Sequence, residues 1–267
     1  MVTRVMRAAL EARPAGADAP GVRFLDVLAE RQRRAPAPRK GERTRNRLKL
    51  AAVHALEQRG YLQLRVTDIC RRARVSDAVF YVYFENKVQI TVEVLSEFLD
   101  HTFELGESPD PKPRRSLFEA LEHANLRWIS AVRANAGLTR CLLQFADQVP
   151  EFRELSSRRN HQWYLHVTRR LLARLGARDF DESAPLLAVH VLGGMIDELC
   201  SKVFVSREPH VVALVDSIVP TDAALAEFVS ILWYRGLFGR EPIEARHPAG
   251  RALQRLADLR SAESGQP

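Results

Sequence analysis

At 267 residues, 46% of them hydrophobic, the chain is long enough for a small domain beside one with a sizeable core. Three cysteines are too few for a disulfide scaffold. The formal charge of +7 is unevenly held: residues 1–90 carry 19 Lys and Arg against 9 Asp and Glu, a balance of +10, and residues 91–267 carry 21 against 24, a balance of −3. That segregation excludes a uniformly basic coat and points to a polyanion docking on the N-terminal part.

Residues 1–42 are rich in Ala, Pro and Arg and read as a mostly disordered basic extension, with one short helix over Val22–Arg34. Arg33, Arg34, Arg39 and Lys40 are placed for a basic arm that reaches a minor groove, and a plain disordered leader has the same composition. Arg4 and Arg7 are followed by only Ala8–Leu10 before Glu11, so no signal peptide is expected. The stretch Thr44–Arg59 has an amphipathic helical pattern, with Leu48, Ala51, Ala52, Ala55 and Leu56 on one stripe. Arg43, Arg45, Arg47 and Lys49 gather at its start, where cations oppose the helix dipole; phosphate contact explains them, as does a solvated face.

Val66–Lys87 reads as two short helices joined by a tight turn. Ile69 and Ala73 sit on the inner face of the first, Val75 closes the turn, and Ser76 caps the second. Phe80 and Phe84, one turn apart, anchor a small core. Asp77, Ala78, Val79, Tyr81, Val82 and Tyr83 face outward, an unusual set for a water-facing helix and one suited to a DNA groove, with hydroxyls for phosphates and methyls for thymine.

The segment Arg43–Leu95 resembles the DNA-binding domain of the tetracycline-repressor (TetR) family: a first helix ending in Gly60-Tyr61, then V-x-x-I, A-x-V-S and F-Y-x-Y-F-x-x-K. The resemblance implies an all-α fold, with an N-terminal three-helix helix-turn-helix DNA-binding domain and a C-terminal helical domain for ligand binding and dimerisation. It implies that Tyr81 and Tyr83 touch phosphates, that Lys87 meets the DNA backbone, and that Asp77, Ala78, Val79 and Val82 face bases. The candidate DNA-binding set is Arg45, Arg65, Thr67, Arg74, Ser76, Asp77, Ala78, Val79, Tyr81, Val82, Tyr83 and Lys87.

Three positions depart from the family pattern. Arg65 stands where a threonine commonly caps the second helix, so that hydrogen bond is lost and Asp68 cannot complete a capping box. Arg74 stands where the turn usually has glycine; a left-handed backbone there costs arginine roughly 1 kcal/mol. Val79 replaces a frequent threonine and shifts contact toward thymine methyls.

Beyond the head the pattern is helical throughout: Lys87–Leu105, Ser116–Ala134, Leu138–Gln148, Glu151–Leu175, Asp181–Phe204 and Thr221–Phe238, with the loop SPDPKP after Gly106. The domains are expected at 43–90 for the head and 91–240 for the helical body, with 241–267 as a C-terminal tail. Leu186, Val189, Gly193, Gly194, Asp197, Leu225, Phe228, Leu232 and Trp233 recur at threes and fours. That spacing suits either an intramolecular core or a contact between two copies, and the resemblance favours a homodimer reading a palindrome. Trp128, Phe145, His161, Tyr164 and His190 are candidate contacts for an apolar small-molecule effector, although plain core has the same spacing.

No nucleophile beside a base, H-E-x-x-H or zinc spacing occurs, so neither an enzyme, nor a metal, nor a cofactor is expected. No apolar run reaches the roughly eighteen residues of a membrane helix, and Cys70, Cys141 and Cys200 suit a cytoplasmic protein with buried thiols. The resulting expectation is a ligand-responsive transcription regulator, a repressor released from double-stranded operator DNA. Its rivals are a lipid or acyl-thioester carrier and a ligand-independent architectural DNA binder.

Overall fold

The computed structural model describes residues 21–34, 39–107, 116–177, 179–242 and 245–263, and its regular elements are all helices. They are α1 (Phe24–Arg34), α2 (Lys40–Arg59), α3 (Val66–Ala73), α4 (Asp77–Tyr83), α5 (Lys87–Glu107), α6 (Leu117–Ala134), α7 (Ala136–Gln148), α8 (Pro150–Arg174), α9 (Ser183–Cys200), a π-helical turn (Ser201–Val205), α10 (Pro209–Ile218), α11 (Asp222–Phe238) and α12 (Pro248–Glu263). The expected leader before residue 21, the Pro36-Ala-Pro38 linker and the SPDPKP loop lie outside the described residues.

Local chemistry accounts for several of the helix starts. Ser116 and Glu119 form a reciprocal capping box at α6, and Thr221 Oγ1 accepts from Ala224 N at 3.1 Å. Pro150 and Pro209 open α8 and α10, where a missing N–H costs nothing. Helix α10 had no sequence expectation. The stretch expected as one helix over Asp181–Phe204 changes geometry after Cys200, with Ser206 N donating to Ser201 O five residues back at 2.9 Å.

Two apolar cores divide the chain. The first belongs to the head, and helix α1 is part of it rather than of a free leader: Phe24 is fully buried with its ring 5.3 Å from that of Phe98 and 5.7 Å from that of His101, both on α5. Leu28 follows it one turn later. This core continues into Leu138, Cys141, Leu142 and Phe145 of α7 and Phe152 of α8. Phe145, expected in the body as a ligand contact, therefore sits at the joint with the head, 4.6 Å from Tyr61 and 4.8 Å from Phe152 by ring centroid. Phe24 N donates to Asn135 Oδ1 at 2.7 Å, and Asn135 Nδ2 donates to Val22 O at 3.1 Å, so the chain entering α1 is tied to the α6–α7 junction. Arg23 pairs with Glu57 of α2 at 2.6 Å.

The second core fills the body between α6, α8, α9, α10 and α11. It claims several positions expected at a contact between copies: Val189, Gly193, Asp197, Leu225 and Trp233 are buried within one chain, while Leu186, Phe228 and Leu232 are half-buried and Gly194 is exposed. Gly193 is small because α8 lies against it; a Cβ there falls 2.5 Å from Tyr164 Oη. The spacing picked out the inward stripe of α9. Its outward stripe is displaced along the helix, with Leu187 66% and Val191 64% exposed and Gly194 open on the same side.

The stretch expected as a C-terminal tail carries α12. Fully buried Glu227 of α11 holds its start, accepting from Arg246 N at 3.1 Å and His247 N at 2.9 Å. Among the described residues no helix is long and apolar enough to cross a membrane.

Candidate nucleic-acid interface

The reading unit is α3, its turn and α4. Ile69 and Ala73 of α3 are buried as their spacing requires. Arg65 precedes α3 in an extended conformation and makes no side-chain cap. Asp68, released from capping, accepts instead from Arg59 at 2.7 Å and Arg71 at 2.5 Å. Arg74 closes α3 with φ 54° and ψ 50°, the left-handed conformation expected of a glycine there. Ser76 Oγ accepts from Val79 N at 3.4 Å and starts α4.

Phe80 and Phe84 are buried with ring centroids 5.7 Å apart, which rolls the rest of α4 outward. Tyr81 is 59% and Val82 75% exposed, and Asp77 and Ala78 are exposed beside them. Val79 and Tyr83 are half-buried, Tyr83 leaning on α2 beside Gly41. Thr67 is exposed at the start of α3. Large apolar and phenolic groups left largely in water beside a buried Phe pair gain little from burial, and they match a groove floor and its phosphate rim.

The cations divide into two sets. Arg45 turns inward, bonding bidentately to Glu93 of α5 and lying 4.7 Å over the Phe84 ring; Lys49 is buried and pairs with Glu93 and Glu97. Burial pushes the Glu93 carboxyl up, but the bonds and charges of Arg45 and Lys49 outweigh it and hold the group below the usual range. These two cations thus join α2 to α5 instead of standing free, because α5 carries acids opposite them. Lys87 is half-buried, its Nζ donating to Leu64 O at 3.4 Å and lying 4.7 Å over the Tyr61 ring, which fixes it at the start of α5. Among the described residues, Arg43, Arg47, Arg65, Arg72 and Arg74 are exposed and form no ion pair. Arg72 was not among the sequence candidates; its signal was the run Arg71-Arg72-Ala73-Arg74, in which only Arg71 meets an acid.

Arg74 makes the trade testable. Replacing it by glycine is expected to stabilise the chain by about 1 kcal/mol by relieving the left-handed backbone. It is also expected to lower the slope of log affinity for DNA against log salt by about one. Urea unfolding and a salt series of DNA binding measure the two; a less stable variant or an unchanged slope removes Arg74 from the interface.

The body candidates are brought together only in part. His161 and His190 stack with centroids 5.7 Å apart, and His190 lies 4.1 Å from the Tyr164 ring, making a row of three from the surface inward. Burial and the neighbouring His161 lower the pKa of His190; burial and Asp197 raise that of the Tyr164 phenol. Trp128 lies deeper in the same core.

Comparison with known proteins agrees with this geometry. Residues 50–94 match the family model described as bacterial regulatory proteins, tetR family. An uncharacterized HTH-type transcriptional regulator of Bacillus subtilis (strain 168), YdgC, is 33% identical over 69 residues, which are 26% of this chain and 35% of that protein. The chain thus spans about a third of the length of that relative. A solved structure from Mesorhizobium loti MAFF303099, described as a TetR-family transcriptional regulator, superposes with a TM-score of 0.52 at 18% identity, covering 74% of this chain and 98% of that one; the likeness is one of fold. Residues 50–94 thus form a helix-turn-helix head similar to that of the tetR family of bacterial regulatory proteins.

Proposed function

We propose that the chain is a ligand-responsive transcription regulator, a repressor that leaves a palindromic operator when a small molecule binds in the body. The observation that carries the reading is the outward face of α4, where Tyr81 and Val82 are held in water beside the unpaired Arg65, Arg72 and Arg74. A homodimer supplies two such heads, and the exposed Leu187, Val191 and Gly194 stripe of α9 is the apolar surface that supports pairing. The joint around Phe24, Asn135 and Glu57 gives body movement a route to the head, since α1, α2, α6 and α7 all meet there. Release requires only that the effector bind the non-binding arrangement more tightly, about 1.4 kcal/mol for each tenfold shift.

The test is a salt-controlled binding assay on the promoter region beside the protein's own gene. Tyr81→Ala and Lys87→Ala are each expected to weaken binding about tenfold, the loss of one good contact. Leu187→Glu with Val191→Glu is expected to sediment as a monomer and to bind a full site no better than a half-site. Undiminished binding by both head variants would sink the groove assignment.

A further inference from the structure

The body core holds a row of polar groups that the packing leaves without partners. Ser156, Asn160 and Trp163 stand at i, i+4 and i+7 on α8 and so share one face, with Tyr164 beside them. All four are more than nine-tenths buried, and Ser156 Oγ, Asn160 Oδ1, Trp163 Nε1 and Tyr164 Oη make no hydrogen bond. Facing the same core from α6, Trp128 is also buried with an unpartnered Nε1. Folded proteins pair nearly all such atoms, so four within three turns of one helix need a partner from outside the chain.

The direction of the row follows from its neighbours. Phe152 of α8 meets Phe145 of α7 on one flank, and Tyr164 meets His190 of α9 on the other. Trp163, on the same face of α8 as Ser156 and Asn160, belongs to the apolar core that holds Trp128 of α6. The stack of Tyr164, His190 and His161 leads from that core to the surface.

We infer that this row is the recognition strip for a compact oxygen-bearing ligand, one that offers an acceptor to the indole and phenol donors and a donor to Asn160 Oδ1. The two kinds of group on α8 are spaced by about one turn, roughly 5.4 Å. A purely hydrocarbon effector leaves every one of them unpartnered, and a site built for hydrogen bonding rejects such a ligand strongly. The inference rests on the reading of the body as an effector domain and names the chemical class of the effector.

The probes are 4-hydroxyacetophenone, whose carbonyl and hydroxyl stand at opposite ends of a ring, and 4-ethyltoluene, similar in size without polar atoms. Titration calorimetry on the full chain is expected to show the oxygenated probe binding at least about tenfold more tightly. Tyr164→Phe and Asn160→Leu are expected to remove that preference while melting no lower than the wild type without probe, because each replaces a buried polar group that had no partner with an apolar one of similar size. Equal affinity for the two probes, or binding of neither, overturns the inference. So does a lowered melting temperature for both variants, which identifies the groups as already satisfied by internal water. DNA binding is scored separately on the same preparations; its absence alongside a preserved probe preference counts against the regulator reading alone.

Discussion

Phe24→Ala is expected to destabilise the chain by about 3–5 kcal/mol, the range for emptying a fully buried phenylalanine site. The ring is completely buried, packed against Phe98 and His101 of α5. The same residue donates its backbone N–H to Asn135, so loosening α1 also frees the α6–α7 junction. Urea unfolding gives the magnitude, and hydrogen exchange is expected to rise at Asn135 and the first turn of α7. A loss below about 1 kcal/mol, within the range of an ordinary surface change, would place α1 outside the cooperative core.

Acid is the second large effect. His101 is buried beneath Phe24, and burial, with the Arg31 guanidinium 3.2 Å from its Nδ1, lowers its pKa from 6.5 to about 4. The folded state therefore keeps the imidazole neutral while the unfolded chain takes up a proton. Between these two pKa values the unfolded state binds more protons, so stability is complete above pH 6.5 and falls as pH drops toward 4, by about 3 kcal/mol in all. His101→Gln has no such group and is expected to lose less over the same window, with the difference between the two proteins isolating the histidine from the carboxylates. Parallel stability curves for wild type and variant from pH 7.5 to 4.5 would show that His101 does not titrate in this way.

The two expectations bear on one joint, where a chain segment before the reading head packs against the helix that links head to body. Its ring contacts, the Asn135 bonds and the Arg23–Glu57 pair tie the head's orientation to the body. In the proposed regulator, that rigidity is what lets an effector in the body change the spacing of two heads.

The reading head was legible in the sequence because its determinants are local. The Ser76 cap, the Phe80 and Phe84 turn, the left-handed Arg74 and the uncapped Arg65 each depend on residues within four positions, and each is found in the structure. The helical character of the body was legible for the same reason, since a 3.6-residue period needs no distant partner. Tertiary structure alone decided which of several apolar stripes turned inward. Helix α9 is apolar on more than one side, so spacing could not tell Val189 and Gly193, buried against α8, from Leu187 and Val191, left in water. It also decided the fate of charges: Arg45 and Lys49 were indistinguishable from Arg43 and Arg47 until α5 brought Glu93 and Glu97 across from them. A sequence carries the inventory of groups along one line. Which of them remain for DNA or a ligand is settled only after folding has paired others, as it pairs Arg45 with Glu93 across 48 residues.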